Sequence, residues 1–204
     1  MSDNLSSAYL ILLVEGEEDG LLIKSWLEEK SPKIKRAFHN ALFAIDHLGG
    51  ATNLSYKASL YKNNLCQVVG FLDNDEAGRK GVLDAVDKNI IKPTDYCLTS
   101  CPGMKNSEIE DLLNLSSYRD LILSNYGVDL KVAPFRNNKA QWSDRVGRLF
   151  QSSGKLWNDR IEAKIKMEVS EAAAKVGLSS INVHKSGSID ALVKLLETYI
   201  SGEA

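Results

Sequence analysis

Two apolar runs in this chain each end on an acidic word that carries a glycine, and this pairing narrows the folds open to it. Tyr9-Leu10-Ile11-Leu12-Leu13 leads into Val14-Glu15-Gly16-Glu17-Glu18-Asp19. Val68-Val69-Gly70-Phe71-Leu72 leads into Asp73-Asn74-Asp75-Glu76-Ala77-Gly78. An unbroken apolar run of this length reads as a parallel strand buried on both faces. Helical spacing follows each word: Leu21, Leu22, Ile23, Trp26 and Leu27 recur after the first, and 76–86 reads as a helix after the second. Further short strands are expected near 43–45 and 96–99. A helix is expected from Thr52 or Asn53 to Tyr61, and another from Ser107 to Leu113, where Ser107 and Glu110 fit a capping box.

Alternation of this kind predicts an α/β fold, a parallel sheet flanked by helices. Beyond residue 116 the pattern turns mostly helical, with candidates at 142–150, 156–176 (closed by Gly177) and 189–200. The expected division is a catalytic core over 1–115 and a mainly helical C-terminal extension over 116–204. Open α/β sheets bind ligands at the carboxyl ends of their strands, which is where both acidic words fall.

Crowded carboxylates at strand ends repel one another unless a positive charge lies between them. Glu15 and Asp19, four apart at a helix start, and Asp73 and Asp75, two apart on an extended turn, are the candidate metal ligands, with Glu76 and Glu110-Asp111 able to join them. Oxygen-only donors suit Mg²⁺, and two such ions can activate a water and stabilise the leaving oxygen of a phosphodiester.

The net charge of −2 hides an asymmetry. Residues 1–130 hold 13 Lys and Arg against 19 Asp and Glu. Residues 131–166 hold nine bases (Lys131, Arg136, Lys139, Arg145, Arg148, Lys155, Arg160, Lys164, Lys166) against Asp144, Asp159 and Glu162. Lys155, Arg160 and Lys164 are therefore candidate DNA-binding residues beside a metal site; the alternative is a solvated helix face. No apolar run approaches the roughly 18 residues that span a bilayer. Met1–Ala8 lacks a basic leader, and Cys66, Cys97 and Cys101 form no CxxC pair, so a reducing cytoplasm is expected and a membrane partner is not.

Val14-Glu15-Gly16-x-x-Asp19 and Leu72-Asp73-x-Asp75-x-x-Gly78 resemble the two signatures of the Toprim domain. Glu15-x-x-x-Asp19, Gly49-Gly50, the 73–78 word and Ser107-x-x-Glu110-Asp111-Leu112-Leu113 are most similar to the C-terminal nuclease domain of the OLD family (overcoming lysogenisation defect). The resemblance implies a Toprim-like sheet and Mg- or Mn-dependent DNA endonuclease activity, nicking or double-strand, by a two-metal mechanism. Glu15 and Asp19 would hold one ion, Asp73 and Asp75 the other, with Ser107 and Glu110 completing the shell. Glu15 would also act as base or acid. Lys139 would steady the transition-state charge, Lys131 or Lys155 being the alternatives.

OLD proteins carry an ATPase, but no GxxxxGK[ST] loop occurs here. The resemblance therefore implies an ATPase domain or subunit supplied by a longer chain or a neighbouring gene. It also implies a homodimer as a candidate assembly and defence against phage as a role. Two other readings remain: a non-catalytic Toprim scaffold that binds metal or a partner ATPase, and a haloacid-dehalogenase-like phosphatase. The second shares the strand–DxD arrangement but lacks the Thr that normally follows, and it leaves Glu15 and Asp19 without a role.

Overall fold

A computed structural model describes residues 8–136 and 139–202; the polar lead-in Met1–Ser7 lies outside the described residues. Four parallel strands form one sheet in the order β2-β1-β3-β4: β1 Leu10–Val14, β2 Phe43–His47, β3 Gln67–Leu72 and β4 Tyr96–Leu98. The expected α/β class and the strand-to-helix alternation are borne out.

β1 is buried along its whole length because the two faces of the sheet are both covered. Leu10, Leu12 and Val14 pack into one core, while Ile11 and Leu13 pack into the other. The first core is built with α1 (Glu17–Lys30) and α2 (Pro32–His39), and the second with α3 (Leu54–Asn63) and α4 (Glu76–Asp87). The C-terminal helices are α5 (Arg119–Tyr126), α6 (Ala133–Arg136), α7 (Trp142–Ser152), α8 (Asp159–Val176) and α9 (Gly187–Ser201). Trp142, Phe150, Ile165, Val169, Leu192 and Leu196 bring them into the first core. Among the described residues, no helix is long and apolar enough to cross a membrane.

Three local outcomes differ from the sequence reading. No helix is expected over 32–39, yet α2 follows α1 at once, because the Ser31 hydroxyl accepts from Ile34 N at 3.1 Å and Pro32 opens the new helix. The 156–176 helix begins at Asp159, where Asn158 Oδ1 accepts from Ile161 N at 3.0 Å. The segment 107–113 is a short 3₁₀ turn over Ile109–Leu112, not an α-helix opened by Ser107. Ser107 is extended, pairs with Asn74 in an antiparallel bridge, and donates its hydroxyl to Thr99 O at 2.9 Å. The capping box moves one residue along: Glu108 N donates to Asp111 Oδ2 at 2.9 Å, which leaves the Glu110 carboxylate uncommitted.

The chain leaves β1 towards β2 on one side and leaves β3 towards β4 on the other. The carboxyl ends of β1 and β3 therefore flank the point where the strand order reverses, which is where open α/β sheets place their ligands.

Candidate metal centre

Both acidic words meet at that reversal point. Glu15 stands one residue past β1 and Asp73 one residue past β3, and Glu15 Oε1 accepts from Asp73 N at 3.0 Å. Asp19 folds back in the first turn of α1, where its Oδ2 accepts from Gly16 N at 2.8 Å. Asp75 caps α4, its Oδ1 accepting from Gly78 N at 2.7 Å. Gly78 has no substitute here, since a Cβ on it would stand 2.1 Å from Asp73 O and 3.2 Å from Glu15 Oε1. The third wall is the 3₁₀ turn. Asp73 Oδ1 accepts from Ile109 N at 3.0 Å, and Glu110 is buried, with neither carboxylate oxygen hydrogen-bonded.

A cation does reach this cluster, but it is not Lys139. Lys166, on α8, places its Nζ 3.5 Å from Glu108 Oε1 and 3.7 Å from Glu110 Oε2. Burial works against its charge, yet Glu110, Glu108, Asp73 and Asp19 together hold its pKa well above the usual lysine range. Lys139 is exposed, with its Nζ 3.3 Å from where a Cβ on Gly103 would stand, and among the described residues it forms no ion pair. Lys131 and Lys155 are exposed as well. Glu108 was the other residue sequence reasoning passed over. It is buried, accepts from Ser143 N at 2.8 Å and from the Ser143 hydroxyl at 2.7 Å, and so ties α7 to the acidic turn. The one available signal for Lys166 was its place beside Ile165 in the Ile161-Ile165-Val169 stripe, at the edge of a buried helix face.

One ammonium does not neutralise this many carboxylates, and the acids respond by holding protons. Burial raises Glu15 to about 7, with the Asp19 and Asp75 charges adding to it. Burial and Glu18 raise Asp19 to about 6. Burial raises Glu110 to about 8, with Lys166 opposing and Glu108 adding. Asp73 is pushed well above the carboxylate range by burial and then by Asp19. These features fit a bound cation: every donor is a carboxylate or hydroxyl oxygen, and Glu110 presents two buried oxygens without a hydrogen-bond partner. Among the described residues no three His, Cys, Asp or Glu side chains cage an ion by themselves.

The pH dependence of stability follows from these shifts. A carboxyl whose folded pKa exceeds its unfolded one stabilises the fold fully below the unfolded value, and that contribution is lost as pH rises through the folded value. For Asp19, Glu15 and Glu110 the window runs from about pH 4 to about pH 8. The metal-free protein should therefore melt several degrees lower at pH 8 than at pH 5.5, at about 2–4 °C per kcal/mol for a chain of this size. Mg²⁺ should raise the melting temperature at pH 8 and have little effect at pH 5.5. Scanning fluorimetry in EDTA and in Mg²⁺ reads both; an equal Mg²⁺ effect at the two pH values would contradict this account.

Comparison with known proteins bears on the whole architecture. The fold is similar to the C-terminal region of the Burkholderia pseudomallei OLD protein, with a TM-score of 0.58 at 14% identity, covering 95% of this chain and 99% of that one. It is also similar to the C-terminal region of the Xanthomonas campestris pv. campestris OLD protein, with a TM-score of 0.59 at 14% identity, covering 98% and 97%. No family model matches the sequence. No curated protein matches it. The expected likeness to the OLD-family C-terminal domain, and with it the Toprim-like sheet and helical C-terminal part, is borne out by fold.

Proposed function

We propose that this chain is a metal-dependent DNA endonuclease that uses two Mg²⁺ or Mn²⁺ ions. The observation that carries the reading is the crowding of Glu15, Asp19, Asp73 and Glu110 at the strand-order reversal, with their pKa values raised by burial and Lys166 the one ammonium paired with Glu110 among the described residues. Full-length structural similarity to the C-terminal regions of two OLD proteins supports it. Glu15 and Asp19 would hold one ion and Asp73 and Asp75 the other, with Glu110 and the Ser107 segment closing the shell. Bound there, the ions would supply an activated water and charge for the leaving oxygen.

The chain's own groups do the rest. Glu15, held at the strand end by its bond from Asp73 N at 3.0 Å, would take a proton from the attacking water. Lys166, rather than Lys139, is the ammonium placed to face the charge that develops on the phosphoryl oxygens. Ile109 N and Thr99 Oγ1 fix the rotamer of Asp73, at 3.0 and 3.5 Å from its Oδ1. An ATPase supplied by a longer chain or a neighbouring gene would control cleavage.

Supercoiled plasmid with Mg²⁺ or Mn²⁺ is the test. Nicked or linear product that disappears on Glu15→Ala is expected. Folded protein that binds metal but cleaves nothing in either ion would favour the scaffold reading, and release of phosphate from a small monoester with plasmid untouched would favour the phosphatase. The surface residues Lys155, Arg160 and Lys164 are all exposed; Lys164 lies 3.7 Å from Glu168 and 5.8 Å from the Tyr126 ring centroid. Reversing all three charges should weaken DNA binding and reduce the slope of log K against log salt by up to about three. An unchanged slope would make this a solvated face.

A further inference from the structure

Behind the acidic turn lies a second, oppositely charged recess. Pro-free and partly closed, it has a volume of about 180 Å³, and its walls include Tyr118, Arg136, Arg145, Asn182 and Lys185 together with Glu110 and Asp111. Arg145 is the fixed element. Its guanidinium stacks on Phe135, with 4.4 Å from Cζ to the ring centroid, and its Nη1 donates to Phe135 O at 3.3 Å. Its Nη2 pairs with Asp111. The Arg145 side chain is 10% exposed, and its buried Nε has no hydrogen-bond partner. Lys185 donates to Asp111 O at 2.7 Å, and Arg136 is exposed at the mouth without an ion pair among the described residues.

Asp111 offsets one of these three cations, and Glu110 Oε2 lies 3.7 Å from the Lys166 ammonium. A recess with surplus positive charge, a rigid guanidinium and neutral donors at Asn182 and Tyr118 is complementary to a tetrahedral oxyanion. Its volume is about six times the share of one water in the liquid, which admits a phosphate with a few waters. Glu110 belongs both to this wall and to the metal centre, so an anion held here sits beside the place where a phosphodiester would be cut.

We propose that this recess is a phosphate subsite that holds a backbone phosphate of the nucleic-acid strand, next to the one presented to the acidic cluster. The strand assignment rests on the endonuclease reading; the phosphate chemistry does not. Free phosphate and a strand phosphate present the same oxyanion, and the test separates them. In EDTA, Trp142, whose indole donates to the hydroxyl of the lining Tyr118 at 3.2 Å, is a fluorescent reporter one contact behind the wall of the recess.

Inorganic phosphate should change its emission in a saturable way, and a short single-stranded oligonucleotide should compete. Arg136→Glu, at an exposed position, should weaken both ligands about tenfold, as expected for one lost charge-assisted contact, and should lower the oligonucleotide's salt slope by about one. Arg136→Lys should recover most of the affinity. Phosphate affinity unchanged in Arg136→Glu would overturn the subsite. Phosphate binding that the oligonucleotide cannot displace would overturn the strand assignment. The plasmid assay is independent: a subsite that binds phosphate in a protein that cuts nothing in either ion keeps the phosphate chemistry and removes the endonuclease reading, and the strand assignment with it. Loss of the subsite in a protein that still cuts does the reverse.

Discussion

Asp73→Asn should abolish plasmid cleavage and at the same time raise the thermal stability of the metal-free protein at pH 8. The two effects have one cause. Asn keeps an acceptor oxygen for Ile109 N, now 3.0 Å from Asp73 Oδ1, so the 3₁₀ turn stays in place. It removes a buried charge that burial and Asp19 already force towards the neutral acid. Groups outside a metal's shell typically cost 10–100-fold when removed, so a direct ligand should cost at least about 10²-fold in rate. The sign of the stability change distinguishes this account from simple damage, because a destabilised variant would also lose activity. A gain at pH 8 that shrinks at pH 5.5, where the wild-type acids hold protons, is the expected pattern. Lower stability at both pH values would mean that Asp73 serves the fold and not a charge site.

Much of this cluster was legible in the sequence because its carboxylates sit at fixed offsets from strong signals. The runs 9–14 and 67–72 are apolar enough to be read as doubly buried strands, and a strand end fixes where the next side chain points. Glu15 and Asp73 therefore came out together, bonded through Asp73 N. Asp75 was legible too, though part of its role is ordinary, since one of its oxygens caps α4. The short turn at 107–113 was less so. Ser107 followed by Glu110 matches a capping box, but the bridge to Asn74 holds Ser107 extended and hands the cap to Glu108 and Asp111. A long-range strand-like pairing decided that outcome, and no local pattern carries it. α2 was hidden for the opposite reason: Pro32 reads as a stop, whereas Ser31 turns it into a start.

The lysine could not be found by spacing, because its distance along the chain from the cluster is set by how α8 packs on α1. Replacing it should have the second large effect. Lys166→Ala removes the only ammonium within 4.0 Å of Glu108 and Glu110 among the described residues and leaves those carboxylates buried without a counter-charge. Breaking a buried pair from one side typically costs about 3–5 kcal/mol, or roughly 6–20 °C in melting temperature here. The loss should be largest at pH 8 and smaller at pH 5.5, because Glu110, already raised to about 8, escapes the penalty by protonating. Lys166→Met, which keeps the packing volume without the charge, should behave the same way, so a stability loss confined to Ala would point to a cavity. Mg²⁺ should recover part of that stability in either variant, since a divalent ion supplies the missing charge. Cleavage should not recover with it if the ammonium faces the reacting phosphate. Lys139→Ala, at an exposed position against Gly103, should change neither melting temperature nor cleavage by more than a small factor. Restored cleavage in Lys166→Met at saturating Mg²⁺ would reduce Lys166 to a counter-ion of the empty cluster, and a large loss in Lys139→Ala would return the catalytic role to the residue the sequence first suggested.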